Sequence, residues 1–313
     1  MIISASRKTD IPAFFSEWFI NRIREGYVYS RNPMNSYQIS KIPLTPDVVD
    51  CIVFWTKNPI PMIQRLVELK DYTYYFQFTL TGYGKDMELN LPDKKRKLIP
   101  AFKQLSEKIG SERIIWRYDP IAFNEKYTPE YHIKAYSHIA GELKGYTKKS
   151  VISFVDIYHK IQKNMQEMNI TETSDETMYS FAQKLYDIAG KNEMVLATCA
   201  EKIDLASIGI EHNACIDGKM IERLCRGNIK AKKDLSQRAE CQCVESRDVG
   251  SYNTCSHGCK YCYANYSGKV LKKNLAKYDS KSPILCDFVD EADGDIITEV
   301  KAKALIDRQV SLF

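Results

Sequence analysis

Cys51-Ile-Val-Phe-Trp-Thr-Lys-Asn-Pro-Ile-Pro-Met-Ile-Gln-Arg-Leu-Val-Glu-Leu-Lys-Asp-Tyr-Thr-Tyr-Tyr-Phe-Gln-Phe-Thr-Leu80 is the stretch on which the fold turns. Two short apolar runs, 51–56 and 74–80, flank a helical stretch over 59–69. Runs this short, and this rich in β-branched and aromatic residues, read as strands buried on both faces. Strand, helix, strand in that order implies a parallel pair joined by a crossover. The same alternation extends both ways along the chain. Further strand-like runs lie at 1–6, 113–118, 151–157 and 194–199, with later candidates at 244–252 and near 208–210. Helical patterns fall between them at 14–25, 94–109, 130–143, 176–189 and 219–225. The expected fold class is α/β, and eight such strands would make a TIM-type (β/α) barrel, complete or partial. Residues 1–277 read as one barrel domain and 278–313 as a C-terminal extension, ending in a short helix through Asp307. Loops are expected at 82–96 and 164–175.

The chain has 313 residues, of which 44% are hydrophobic. No apolar run reaches the roughly 20 residues needed to span a bilayer. The first residues lack the basic-then-apolar order of a signal peptide, so a cytoplasmic protein is expected. In that compartment ten cysteines point to metal or redox use rather than disulfides. A net charge of +5 permits an anionic partner, nucleic acid included. The run Lys94-Lys-Arg-Lys97 reads as a solvated face.

Active sites of such barrels gather at the C-terminal ends of the strands. Those ends carry Arg7, Lys57, Arg117 and Asp119, the candidate catalytic residues. Arg117 directly follows Ile114-Ile-Trp116, where burial should be heavy. A buried guanidinium needs a partner or an anionic ligand. Arg117 is therefore expected to face the cavity of the cysteine loop described next, paired with Asp119, another acid or a bound carboxylate.

That loop is Cys255-Ser-His-Gly-Cys259-Lys-Tyr-Cys262-Tyr. Iron–sulfur clusters are ordinarily held by four thiolates. Three on one tight loop would leave one iron of a [4Fe-4S] cube open to a small molecule. The competing reading is zinc, with His257 as the fourth ligand. A second group, Cys199, Cys215, Cys241 and Cys243, supplies the four thiolates of an auxiliary cluster. The competing reading is that Cys199 and Cys215 are small buried hydrophobes, but the Cys241-x-Cys243 pair favours the cluster. Cys225 could replace one ligand, and Cys51 and Cys286 read as structural.

The spacing, with Tyr261 before the last cysteine, resembles the radical S-adenosylmethionine (SAM) superfamily. The resemblance implies an open iron that chelates the amine and carboxylate of SAM, and one-electron cleavage to a 5′-deoxyadenosyl radical. It also implies cofactor contacts near Tyr261, Tyr263 and Asn265 and a reductant such as flavodoxin or ferredoxin. In that superfamily the cluster loop usually follows the first strand; here it follows the last, so a permuted strand order is expected. Over nearly its whole length the chain resembles the domain-of-unknown-function 1848 family of bacterial proteins. The segments that carry this are 4–12, 53–59, 116–120, 199–201, 215–217 and 248–265. The cluster motif is also similar to that of spore photoproduct lyases. Gln309-Val-Ser-Leu-Phe313 resembles the peptide that binds the bacterial sliding clamp. The function expected from these features is a radical SAM enzyme, with DNA or a nucleotide as candidate substrate. The alternatives are a non-catalytic iron–sulfur electron carrier or redox sensor, and a zinc-stapled nucleic-acid module.

Overall fold

A computed structural model describes residues 1–157, 160–170, 173–292 and 294–307. Its strands are β1 Ile2–Ala5, β2 Tyr27–Arg31, β3 Gln38–Pro43, β4 Cys51–Thr56, β5 Tyr74–Thr79, β6 Ile114–Ile121, β7 Lys149–Phe154, β8 Val195–Thr198, β9 Glu211–His212, β10 Asn228–Ile229, β11 Arg247–Asp248, β12 Ile296–Glu299 and β13 Ile306–Asp307. Eight of them form one parallel sheet in the order β11-β1-β4-β5-β6-β7-β8-β9. Among the described residues no ladder joins β9 to β11.

From β1 to β9 the sheet grows in one direction. Right-handed crossovers then carry each connecting helix to the same face. That face buries Ile52, Phe54, Phe76, Phe78, Trp116 and Ile152 against Trp18 and Phe19 of helix Ser16–Glu25, Phe102 of Ile99–Ile109, Tyr136 of Pro129–Leu143 and Phe181 of Asp175–Lys191. Alternate residues on the other face, among them Cys51, Val53, Tyr75, Ile115 and Val151, pack on Cys215, Ile216, Met220, Cys241 and Cys243. The segment bearing the auxiliary cysteines thus covers the face that the large helices leave bare.

The expected strand at 244–252 shrinks to β11, where Ile3 and Ser4 pair with Arg247 and Asp248. Asp248 bonds to the end of β1 through its side chain rather than through a long ladder. Near 208–210 a 3₁₀ turn ends at Gly209 (φ +81°), and the strand begins only at Glu211. The expected loop at 164–175 overlaps helix Gln162–Glu167. In place of a short helix through Asp307, β12 joins the unanticipated β2–β3 hairpin and β13 pairs with β10. The tail is tied down by Arg31, whose guanidinium meets Asp287 and Asp295. Gln309–Phe313 lies outside the described residues. No helix among the described residues is long and apolar enough to cross a membrane.

His132 is fully buried, its Nδ1 2.9 Å from the Tyr118 hydroxyl and its Nε2 3.2 Å from the Ala122 carbonyl oxygen. Burial lowers its pKa from 6.5 to about 4, outweighing the backbone hydrogen bond. The folded state therefore favours neutral imidazole. Its contribution is complete above pH 6.5 and is lost as pH falls towards 4. Linkage puts that loss at about 3 kcal/mol. Urea midpoints of the wild-type protein should fall across this window, and those of His132→Gln should fall less. Equal slopes would refute a neutral buried imidazole.

Candidate functional site

The C-terminal edge of the sheet opens on a cavity of about 330 Å³. It is lined by the ends of β1, β4, β5, β6, β7 and β8, and both cysteine groups reach it: Cys255, Cys259 and Cys262, and Cys199, Cys215, Cys241 and Cys243. Arg7, Lys57, Arg117, Asp119, Tyr261 and Tyr263 line it too.

Asp248 anchors the entry to the cysteine loop. Its carboxylate accepts from the Ser4 hydroxyl at 2.7 Å, the Ser6 hydroxyl at 2.6 Å, the Arg7 N–H at 2.9 Å and the Gly250 N–H at 3.0 Å. A Cβ on Gly250 would stand 2.1 Å from Ser6 Oγ, so the close approach of β1 and β11 requires glycine there. The loop is then clamped by the segment after β5. Asn90 N–H donates to the His257 carbonyl at 3.0 Å, its side chain donates to that of Ser256 at 2.8 Å, and Lys260 N–H donates to the Met87 carbonyl at 3.0 Å. Asn265 donates to the Cys255 carbonyl at 2.6 Å. It is absent from the cavity lining and braces the loop.

Burial pushes the Cys255, Cys259 and Cys262 thiols up, Cys259 to about 12. Metal binding would ionise them. His257 Nε2 lies 2.7 Å from Asp10 Oδ2, and Asp10 also accepts from the N–H groups of Ala13 and Lys57. Among the described residues no three His, Cys, Asp or Glu side chains converge as ligands of a single metal ion would. In a four-iron cube each thiolate binds a different iron.

Glu88 organises one wall. Only 1% of its side chain is exposed, and it meets Lys57 Nζ at 2.8 Å, the Thr81 hydroxyl at 3.0 Å, Lys94 Nζ and the Tyr261 hydroxyl. Burial raises its pKa, but Lys57 and Lys94 win and hold it at about 2. Lys57 Nζ also lies 2.8 Å from the Tyr261 hydroxyl. Lys94, expected on a solvated face with Lys95–Lys97, turns inward to this carboxylate. Glu88 is the site residue that sequence reasoning missed, because it sits in a charged stretch that reads as a surface loop.

The second cysteine group also lines the cavity. Cys199 Sγ and Cys215 Sγ are 3.3 Å apart, and Ile216 N–H donates to Cys243 Sγ at 3.3 Å. Tyr75 and Gln77 on β5 fix the Cys215 carbonyl from 2.7 and 2.9 Å. Arg117 is 5% exposed; its Nε donates to Asp119 at 3.0 Å and its Nη1 to Cys215 Sγ at 2.7 Å. It therefore faces the cavity and pairs with Asp119, as the burial argument required. Cys225 is absent from the cavity lining and donates to the Asp50 carbonyl at 3.3 Å. Cys51 and Cys286 are buried in the core, as expected.

The chain belongs to the family described as Domain of unknown function (DUF1848), whose model matches residues 2–264. The match spans both cysteine groups and stops one residue short of Asn265. No curated protein matches the chain.

Proposed function

We propose that this family member is a radical SAM enzyme. Cys255, Cys259 and Cys262 would hold a [4Fe-4S] cluster with one iron free for SAM, and Cys199, Cys215, Cys241 and Cys243 would hold an auxiliary cluster. The observation that carries the reading is the single cavity of about 330 Å³ on which both cysteine groups open. When bound, the first cluster supplies the electron that cleaves SAM to methionine and a hydrogen-abstracting 5′-deoxyadenosyl radical.

The chain's own part is binding, orientation and exclusion of water. Tyr261, held through its hydroxyl by Glu88 and Lys57, keeps its ring fixed beside Cys262. Tyr263 is 45% exposed and stands at the mouth, where an incoming ligand passes. Arg238 and Asp156 form an ion pair among the lining residues. A simple electron carrier has no use for a cavity into which Arg7, Lys57, Arg117 and Asp119 converge, which favours the enzyme over the carrier.

The arrangement of the sheet supports a partial (β/α) barrel with permuted strand order, since its large helices share one face. The ten free cysteines favour the cytoplasm. A nucleotide or DNA substrate, and docking of Gln309–Phe313 on a sliding clamp, rest on sequence and net charge. The enzyme reading is tested by whether the reconstituted, reduced protein converts SAM to 5′-deoxyadenosine.

A further inference from the structure

Five cations line the large cavity, and three of them are hydrogen-bonded to an acid: Lys57 to Glu88, Arg117 to Asp119 and Arg238 to Asp156. Arg7 and Lys8, just past the end of β1, are not. Arg7 carries five side-chain N–H donors, and none finds an acceptor among the described residues. Its Nη2 is buried without a partner. Its Nη1 stands a long 3.6 Å from Asp234 Oδ2, while Oδ1 of that carboxylate accepts from the Ser236 hydroxyl at 2.6 Å and N–H at 3.0 Å. Lys8 Nζ is 3.7 Å from Asp248, whose two oxygens already accept from Ser4, Ser6, Arg7 N–H and Gly250. The two side chains are 19% and 17% exposed, so water compensates them poorly.

Lys8 also lines a second cavity, of about 260 Å³, whose walls include Tyr29, Tyr252 and Tyr266. Its Nζ lies 5.6 Å from the Tyr252 ring centroid. Lys160 Nζ lies 5.7 Å from the same centroid and 4.7 Å from that of Tyr266. On the other side, the Arg7 guanidinium lies 5.5 Å from the Trp55 centroid. Cations beside flat rings thus continue from one cavity into the next. A half-buried cation without a hydrogen-bonded acid is costly, and a bound anion removes that cost. The arginine fork and the lysine point charge both suit phosphate. A carboxylate balances one cation, whereas a phosphate ester near neutral pH carries close to two charges and balances both. We propose that Arg7 and Lys8 form a phosphate-binding subsite where the two cavities share Lys8, and that the tyrosine-lined cavity takes a flat ring attached to that phosphate. The substrate class is then a ring-bearing phosphate ester, the chemical pattern of a nucleotide. That the ligand is the substrate rests on the enzyme reading of the large cavity; the subsite itself does not.

The test uses the full chain, metal-free and reduced, so that binding is read without any cluster. Phenyl phosphate, inorganic phosphate and benzoate are titrated at low salt by ligand-observed nuclear magnetic resonance. Phenyl phosphate should bind more tightly than either of the others. Arg7→Gln and Lys8→Gln, checked for folding by circular dichroism, should each weaken phenyl phosphate by about tenfold. Tyr252→Ala should weaken phenyl phosphate and leave inorganic phosphate unchanged. Lys269→Gln, at an exposed position of the next helix, should change neither. Benzoate binding as tightly as phenyl phosphate would overturn the phosphate assignment. So would a Lys269→Gln variant weakened as much as Arg7→Gln, which is the mark of diffuse surface charge, or no binding of phenyl phosphate with a Kd below about 10 mM. Should Arg7→Gln fail to fold, Lys8→Gln decides by the same loss. Formation of 5′-deoxyadenosine by the reconstituted wild type is measured apart from this. SAM cleavage without phosphate binding overturns the subsite and leaves the enzyme reading, and phosphate binding without SAM cleavage does the reverse.

Discussion

Replacing Cys255, Cys259 and Cys262 together by alanine is expected to halve the iron bound by anaerobically reconstituted protein, from about eight atoms per chain to about four. The two cysteine groups line one cavity and come from different segments of the chain. The backbone of the 255–262 loop is held by Asn90, Lys260 and Asn265, none of which uses a thiol. Removing the three thiols therefore leaves the loop's clamps and the second group in place. Iron analysis with absorbance and electron paramagnetic resonance spectra reads the outcome. A variant that keeps all its iron would contradict the ligand assignment. Protein prepared without oxygen that holds zinc and no iron would contradict the cofactor class.

Glu88→Ala is expected to produce a large loss of stability, about 3–5 kcal/mol, because it leaves two ammonium groups without their buried counter-ion. The side chains of Lys57 and Lys94 are 15% and 22% exposed, so water compensates them poorly. The Tyr261 hydroxyl loses an acceptor at the same time. Glu88→Gln keeps the shape and part of the hydrogen bonding without the charge, and should fall between wild type and alanine. Urea unfolding of the metal-free protein under reducing conditions gives the values. A loss below about 1 kcal/mol would place Glu88 with ordinary surface ion pairs and refute its role in fixing Lys57 and Tyr261.

The strands legible in sequence are those whose burial alone defines them. Cys51–Thr56 matches its expected bounds residue for residue, because every second side chain meets the helices and the rest meet the cysteine segment. The strand β11 was legible only in place, since it keeps a two-residue ladder and Asp248 bonds through its side chain to Ser4 and Ser6. The hairpin β2–β3 gave a weak signal because one of its partners, β12, lies over 250 residues away in the chain. Arg117 was legible because a cation after Ile114-Ile-Trp116 demands a partner. Glu88 was not: one acid in a lysine-rich loop looks solvated until Lys57, from another strand end, is brought to it. The second cysteine group was legible as a set of donors, yet the nearness of Cys199 to Cys215 depends on adjacent strands β8 and β9.

The central claim is that the cavity joins a three-thiolate cluster to SAM. The most direct measurement is the amount of 5′-deoxyadenosine formed when the anaerobically reconstituted wild-type protein is reduced with dithionite and incubated with SAM, beside the Cys255, Cys259 and Cys262 triple-alanine variant. The account predicts 5′-deoxyadenosine and methionine from the wild type and none above background from the variant. A wild-type protein that carries its full iron, accepts an electron and still leaves SAM intact, or a variant that cleaves SAM as well as the wild type, would contradict it.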